Sequence, residues 1–445
     1  MNNCKGDSVV RIREFGLLLN GGNKSSTIDC HSIPSKAFEW LLVNGQSTNE
    51  YSVDLVRVKK QGQSIALQVI NYVGVLETPC GTRIEILPKI SEREDSETST
   101  KVLLKMLSTV NRLNMHQFEK STLQTLKRPL FEILIGYFLQ EVARVIKKGV
   151  RYQYKRVHSS KPYLKGQLQT SKQINQRPGC LNRFHIAYDD FSSDRPENRL
   201  ISSALTQVLK WAKSSENLRL GSELQFALDN IPHSDNYAVD FRKWSNDRSL
   251  IHYRSVKPWC ELILSYQSPL SLAGQHHGIS LLFPMEILFE RYVAIKLEKA
   301  FPRELKLKVQ ANSHSLVTHT LPMLDKEEGW FRLKPDIVVS HKQFQKVIWV
   351  ADTKWKRINE NQASAKYKYG ISQSDMYQMF AYGHKYLKGT GTVYLIYPKH
   401  EHFNQPLPPF RFDDELTVRV IPYDLIKDES ALMDQVLTML PELSG

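Results

Sequence analysis

Residues 347–351 read Val-Ile-Trp-Val-Ala, an unbroken apolar run rich in β-branched and aromatic side chains, and the run ends in Asp352-Thr353-Lys354. A continuous run of this length between polar flanks is a strand buried on both faces. A buried strand that ends in an acid and a base carries two charged groups to one point at the rim of a core. Asp352 and Lys354 are two apart, so both side chains leave the strand on the same face. Upstream, "KPDIVVS" sets Asp336 behind a proline at the start of a second short β run. Pairing of the two strands brings Asp336 to the same rim. Two carboxylates there can hold one or two Mg2+ ions, which neutralise a scissile phosphate and lower the pKa of an attacking water. A lysine beside them orients the water or stabilises the developing charge.

The surroundings of this stretch read helix, strand, strand, helix, strand. "PMEILFERYVAIKLEKAF" is an amphipathic helix with Pro284 at its start, "QSDMYQMFAYGHKYL" is a second helix, and "GTVYLIYPK" is a buried strand. The first ninety residues are β-rich, with "IALQVINYVGVLET" and "RIEILPKI" forming a hairpin across the turn "PCGT", Ile84 and Ile86 inward and Arg83 and Glu85 outward. The polar segment 91–100 is the best linker, after which "KVLLKMLSTVNRL", "LFEILIGYFLQEVARVIKKG" and "NRLISSALTQVLKWAKSS" have helical spacing. A chain of 445 residues exceeds one ordinary core. The expectation is an α+β multidomain protein: a small β-rich domain over 1–92, an α+β middle module over 100–268 and an α/β core over 270–445.

Composition narrows the partners. The net charge of +14 favours a polyanion. No acid occurs between Val142 and Tyr188, while Lys147, Lys148, Arg151, Lys155 and Arg156 stand among Tyr152, Tyr154, Tyr163 and Phe184. Cations interleaved with aromatic faces suit phosphate contact with base stacking, and they equally suit a solvated face or an acidic protein surface. As a functional segment it either tracks DNA or contacts a protein partner. No run of eighteen apolar residues and no signal-peptide stretch appears, so a cytoplasmic protein without a membrane partner is expected. The five cysteines include no C-x-x-C pair and read as reduced thiols. His276 and His277 read as a solvated loop rather than metal ligands, and the absence of G-x-x-x-x-G-K-[ST] means that the chain is not its own P-loop motor.

With these residues in view, Pro335-Asp336 and Asp352-Thr353-Lys354 resemble the motif of the PD-(D/E)-x-K nuclease superfamily. The resemblance implies a restriction-endonuclease-like core, a supporting metal acid at Glu290, with Glu286 one turn earlier as the alternative, and DNA contact from Gln378 and Tyr377 on the following helix. Trp355 and Lys356 read either as further DNA contacts or as a packed tryptophan and a solvated lysine, and the loop at Tyr367, Lys368 and Tyr369 either as a cover for the site or as a loop with no role. More of the chain resembles the McrC family, the nuclease subunit of McrBC-type modification-dependent restriction systems, through "NYVGVLETPCGTRIEILPKI", "LKGQL", "DRPENRLISSAL", "DTKWK", "SDMYQMFAYGHKY" and "VYLIYPK". That resemblance implies a Mg2+-dependent endonuclease that cuts DNA containing modified cytosine. It also implies a AAA+ GTPase partner, a hexameric ring that binds the GTP and whose hydrolysis the chain stimulates. Two alternatives stand beside it: a non-catalytic adaptor between a ring NTPase and DNA, and an RNA-processing or transposon-type nuclease of the same superfamily.

Overall fold

The apolar stretch at 64–77 is not one strand, because Asn71 takes a φ of 64° and turns the chain. Asparagine is among the few residue types that adopt this left-handed conformation readily. The computed structural model describes residues 9–21, 27–46, 54–61, 64–90, 96–113, 115, 128–176, 179, 182–245, 247–265, 280–311, 313–321, 326–344 and 346–427. His276, His277, Cys4, Cys180 and residues 91–95 of the expected linker lie outside them. Two compact units emerge: Met1–Val110 together with Ser268–Gly445, and Asn111–Gln267.

The first unit begins with β1 (Val9–Arg13), β2 (Leu17–Asn20), β3 (Cys30–Ile33), α1 (Ser35–Asn44), β4 (Val56–Gln61), β5 (Ser64–Val69), β6 (Tyr72–Glu77), β7 (Arg83–Leu87) and α2 (Ser96–Val110). Strands in the order β3-β2-β5-β4 make one sheet, and β1, β7 and β6 belong to another. The turn at Asn71 thus hands the chain from one sheet to the next. A shared core of Ile12, Leu18, Phe38, Leu67, Tyr72 and Ile84 lies between them. The expected hairpin is β6–β7, with Leu76 opposite Ile84. Arg83 and Glu85 are not turned outward, however. Both are buried, Arg83 donating to Glu77 at 2.6 Å and Glu85 accepting from Arg11 at 3.0 Å. Ion pairing inside the sheet replaces the polar face that alternation suggested. The second half of the expected linker is the first turn of α2, since Ser99 and Thr100 are buried.

The second unit contains α3 (Leu130–Lys148), β8 (Gln153–Lys161), β9 (Gln167–Leu168), α4 (Thr170–Ile174), β10 (Phe184–Ser192), α5 (Pro196–Trp211), α6 (Ser215–Ala227), α7 (Tyr237–Lys243) and α8 (Lys257–Ser265). Helix α3 ends at Gly149, φ 94°, directly after Lys147 and Lys148. Strands β8, β10 and β9 form a three-stranded antiparallel sheet. The "DRPENR" segment is its structural hub. Arg199 bonds both oxygens of Asp240 and also Asp194, while Asn198 joins the Arg151 carbonyl and the Tyr253 hydroxyl.

The first unit then resumes with β11 (Ser280–Pro284), α9 (Met285–Ala300), β12 (Leu305–Val309), β13 (Ser315–Leu321), β14 (Lys326–Arg332), β15 (Ile337–His341), β16 (Val347–Thr353), α10 (Gln373–Leu387), β17 (Gly391–Pro398), β18 (Phe410–Arg411) and β19 (Leu416–Tyr423). Strand β11 returns to the N-terminal part and pairs antiparallel with β6, so the spans 1–92 and 270–445, set apart by the sequence pattern, share a sheet. The pairing depends on Gly74, φ 127°, where any Cβ would collide with the Leu281 carbonyl. A six-stranded sheet of order β12-β15-β16-β17-β19-β18 carries α10 on one face, over Val338, Val350, Val393 and Leu395. Helix α9 serves the other face, where Phe289 and Tyr292 meet Tyr423 and the following Phe301 meets Trp349. Strands β13 and β14 form a separate two-stranded ribbon. The architecture is a mixed α+β one with several sheets.

Candidate active site

Strand β15 runs antiparallel to β16, with Ile337 opposite Ala351 and Val338 opposite Val350, so Asp336 stands beside Asp352 at the rim. Pro335 has no N–H to give to a ladder, which starts the strand one residue later. The Asp336 side chain takes over: its Oδ2 accepts both the backbone N–H and the hydroxyl of Thr353, each at 2.7 Å. Its backbone carbonyl accepts the Gln310 N–H at 2.9 Å. On the other side, β16 pairs in parallel with β17, and the Lys354 N–H continues that pairing to the Ile396 carbonyl. The strand core is therefore fixed from both flanks up to the last residue of the motif.

Asp352 is 1% exposed. Lys354 Nζ lies 2.7 Å from its Oδ2 in an ion pair. The ammonium also donates to Gln378 Oε1 at 3.0 Å, and Gln378 Nε2 donates in turn to the Tyr382 hydroxyl at 2.7 Å. Two residues four apart on α10 thus hold the lysine from the side away from the strand.

Charge at the rim is unbalanced. Burial, and then the Asp336 charge, pushes Asp352 up to about 7 despite the opposing lysine. Burial also raises Asp336, with the two Thr353 bonds pulling it back. Glu290 on α9 is raised by burial and by Asp336, and Lys334 draws both acids down again. Burial acts to lower Lys354, but the charges of Asp352 and Asp336 outweigh it and hold the ammonium protonated. Carboxyls that resist ionising side by side are what a divalent cation would relieve. Among the described residues no three acid, histidine or cysteine side chains close into a metal cage. Asp336 and Asp352 still suit Mg2+, which binds through one or two carboxylates and keeps several waters. The carboxylate of Glu290 accepts from Gln310 Nε2 at 2.9 Å and reaches Asp336 through its charge.

The remaining candidates scatter more widely. Tyr377 is 65% exposed and Lys356 is exposed, so both are open to a ligand. Gln378 faces the lysine. Trp355 is packed, its ring 5.3 Å from Phe289 and its indole N–H on Glu14 at 2.8 Å. Glu286 is exposed and its charge acts on Glu14 rather than on Asp336. The loop with Tyr367, Lys368 and Tyr369 is fastened by bonds from Asn359 N to the Tyr369 carbonyl and from Tyr369 N to the Gln362 carbonyl. In the second unit Lys147 and Lys148 are exposed, and Arg151 donates to the Ser249 carbonyl at 3.1 Å. Lys155 meets Asp194 at 3.4 Å and Arg156 meets Asp189 at 3.4 Å. The acids that follow the acid-free segment fold back onto it. Tyr152 and Tyr154 both contact the ring of Phe191, and all three are largely exposed.

Several site residues have no signal in the motif. Thr353 occupies its variable position, Gln310 comes from a strand end, and Tyr382 is legible only as the fourth residue after Gln378. Asp375, whose charge raises both Asp352 and Lys354, sits in a capping box with Ser372. The S-x-x-D spacing marks that helix start and not its electrostatic reach.

The fold has counterparts among solved structures. A chain in the refined half-complex from a tetradecameric assembly of Thermococcus gammatolerans McrB AAA+ hexamers with bound McrC superposes with a TM-score of 0.69 at 18% identity, over 97% of this chain and 100% of that one. A chain of the cryo-EM structure of the Thermococcus gammatolerans McrBC complex gives 0.51 at 20% identity, over 66% and 89%. No curated protein matches. Residues 67–398 match the family described as McrBC 5-methylcytosine restriction system component, and the chain belongs to that family.

Proposed function

We propose that the chain is the nuclease subunit of a modification-dependent restriction system, a Mg2+-dependent endodeoxyribonuclease that cuts double-stranded DNA containing modified cytosine in the cytoplasm. The observation that carries the reading is the meeting of Asp336, Asp352 and Lys354 at one strand-end rim, with the lysine 2.7 Å from Asp352. A PD-(D/E)-x-K core has these groups in this order. Its partner is a hexameric AAA+ GTPase of the McrB type, a reading supported by family membership and by relatives solved with McrB hexamers. The GTP belongs to the partner, whose hydrolysis this chain stimulates, and so does recognition of the modified base.

Asp336 and Asp352 would hold the metal, which when bound supplies charge neutralisation at the phosphate and a more acidic water. The protein's own residues do the positioning. Thr353 fixes one Asp336 oxygen and makes no claim on the other. Gln378 and Tyr382 hold the Lys354 ammonium beside Asp352, where it can orient the nucleophile or meet the charge that develops on the phosphate. Burial pushes the Tyr382 phenol up, so it remains a neutral anchor. No helix among the described residues is long and apolar enough to cross a membrane.

The test is cleavage of methylated plasmid with the GTPase partner, Mg2+ and GTP, scoring nicking and GTP hydrolysis together. Asp352→Ala is expected to lose roughly three or more orders of magnitude in cleavage while GTP hydrolysis stays stimulated, and the wild type in EDTA is expected to lose both. Wild-type cutting by the mutant would instead favour the adaptor.

A further inference from the structure

Directly after Lys354 the chain reverses: the Lys356 N–H donates to the Lys354 carbonyl at 3.0 Å, a three-residue turn with Trp355 at its centre. The turn follows directly on the residue whose ammonium faces Asp352. The Trp355 side chain is held on two sides. Its ring lies against Phe289, the neighbour of Glu290 on α9, and its indole N–H donates to Glu14 Oε2 at 2.8 Å. Glu14 follows β1 directly and is tied to that sheet by its own N–H, on the Leu87 carbonyl at 2.8 Å.

Glu14 is 0% exposed, and its Oε1 has no hydrogen-bond partner among the described residues. Burial pushes this carboxyl up to about 8; the Trp355 bond and the Lys89 N–H pull it down, and Glu286 on α9 pushes it further up. The Lys89 ammonium is engaged elsewhere, with Asp29 at 3.5 Å. A buried carboxyl with one oxygen unbonded is destabilising relative to an apolar side chain of similar size. Ordinary packing does not explain the choice, whereas a need for an acceptor at this point does.

We propose that Glu14 is a positioning residue for the Lys354 centre: by fixing the Trp355 indole it fixes the turn after Lys354, and it makes the N-terminal sheet part of the active site's frame. The proposal rests on the nuclease reading for its effect on rate, but its geometric half stands apart from it. Displacement of a reacting group by about 1 Å costs up to about a hundredfold.

The full chain with its GTPase partner, Mg2+ and GTP is compared as wild type, Glu14→Ala, Glu14→Gln and Trp355→Phe. Glu14→Ala and Trp355→Phe are expected to lower kcat about tenfold or more with KM for DNA little changed. Glu14→Gln, which still offers an oxygen to the indole, is expected to restore most of the rate. A structural role alone would lower melting temperature without this pattern. Independently of cleavage, lysines are reductively methylated with 13C, and the Lys354 resonance, assigned by its loss in Lys354→Arg, is followed. It should move in Glu14→Ala and Trp355→Phe and return in Glu14→Gln. If Glu14→Ala does not fold, Trp355→Phe, which keeps an aromatic ring beside Phe289 and removes the indole donor, decides. Wild-type kcat with an unmoved resonance overturns the proposal, as does equal loss in Glu14→Ala and Glu14→Gln. Should the wild type not cut at all, the nuclease reading fails, and the resonance alone decides the positioning.

Discussion

Thr353 gives both its donors to one oxygen of Asp336, backbone N–H and hydroxyl at 2.7 Å each. The residue between the acid and the lysine is thereby the clamp that holds the other acid. All three positions of the Asp-Thr-Lys string are engaged, the outer two by charge and the middle one by hydrogen bonding.

Replacing Thr353 by valine keeps the shape of the side chain and deletes one of the bonds that lower Asp336. The Asp336 pKa then climbs further, because one hydrogen bond to its ionised form is gone. Because the ionised form is the one that binds a metal, the acid limb of the cleavage profile is expected to move to higher pH. The loss is expected on the acid side of the profile and to recover toward wild type as the pH rises. A pH–rate profile of kcat/KM checks this, and an equal loss at every pH would count against it.

Gln378 looks from its place on α10 like a residue for DNA, yet its oxygen is spent on Lys354 and its nitrogen on Tyr382. Gln378→Ala is therefore expected to reduce kcat about tenfold and leave KM for DNA within about twofold. Tyr377→Ala, at the exposed neighbour, is expected to do the reverse. Steady-state cleavage with varied DNA separates the two, and a rise in KM alone for Gln378→Ala would return it to the DNA surface.

Gly74 permits the close approach of β11 to β6 at a φ of 127°. Gly74→Ala puts a methyl group into the Leu281 carbonyl and strains the backbone as well, a loss of about 3 kcal/mol or more. Urea unfolding of the full chain should show the loss, and limited proteolysis should cut near residues 280–284 sooner than in wild type. Unchanged stability would mean that the two strands separate without cost.

Much of the site is legible in the sequence because strand alternation is simple: Asp352 and Lys354, two apart, had to share a face, and Pro335 had to start a strand rather than continue one. Where reading failed, the cause was long-range. Arg83 and Glu85 look like an outward face until Arg11 and Glu77 are brought to them by pairing across the sheet. Gln310 and Glu14 reach the site from distant parts of the chain, and no local period announces that. The division into 1–92 and 270–445 followed composition, which cannot register that β11 fills a place beside β6. The run at 64–77 looked continuous because a single asparagine in a left-handed conformation leaves no gap in the hydrophobic pattern.

The pairing of β11 with β6 also imposes an order of events on synthesis. About 200 residues separate Glu77 from Ser280, and translation at roughly 5–20 residues per second takes on the order of 10–40 s to cover them. Throughout that interval the nascent sheet exposes the edge of β6, a row of unpaired N–H and C=O groups able to recruit another chain. Residues 111–267 leave the ribosome before β11 and can fold before that strand pairs. Slow translation through the middle of the message, or a shortage of chaperones that shield open strands, would therefore reduce the yield of active protein without touching a single residue of the catalytic rim.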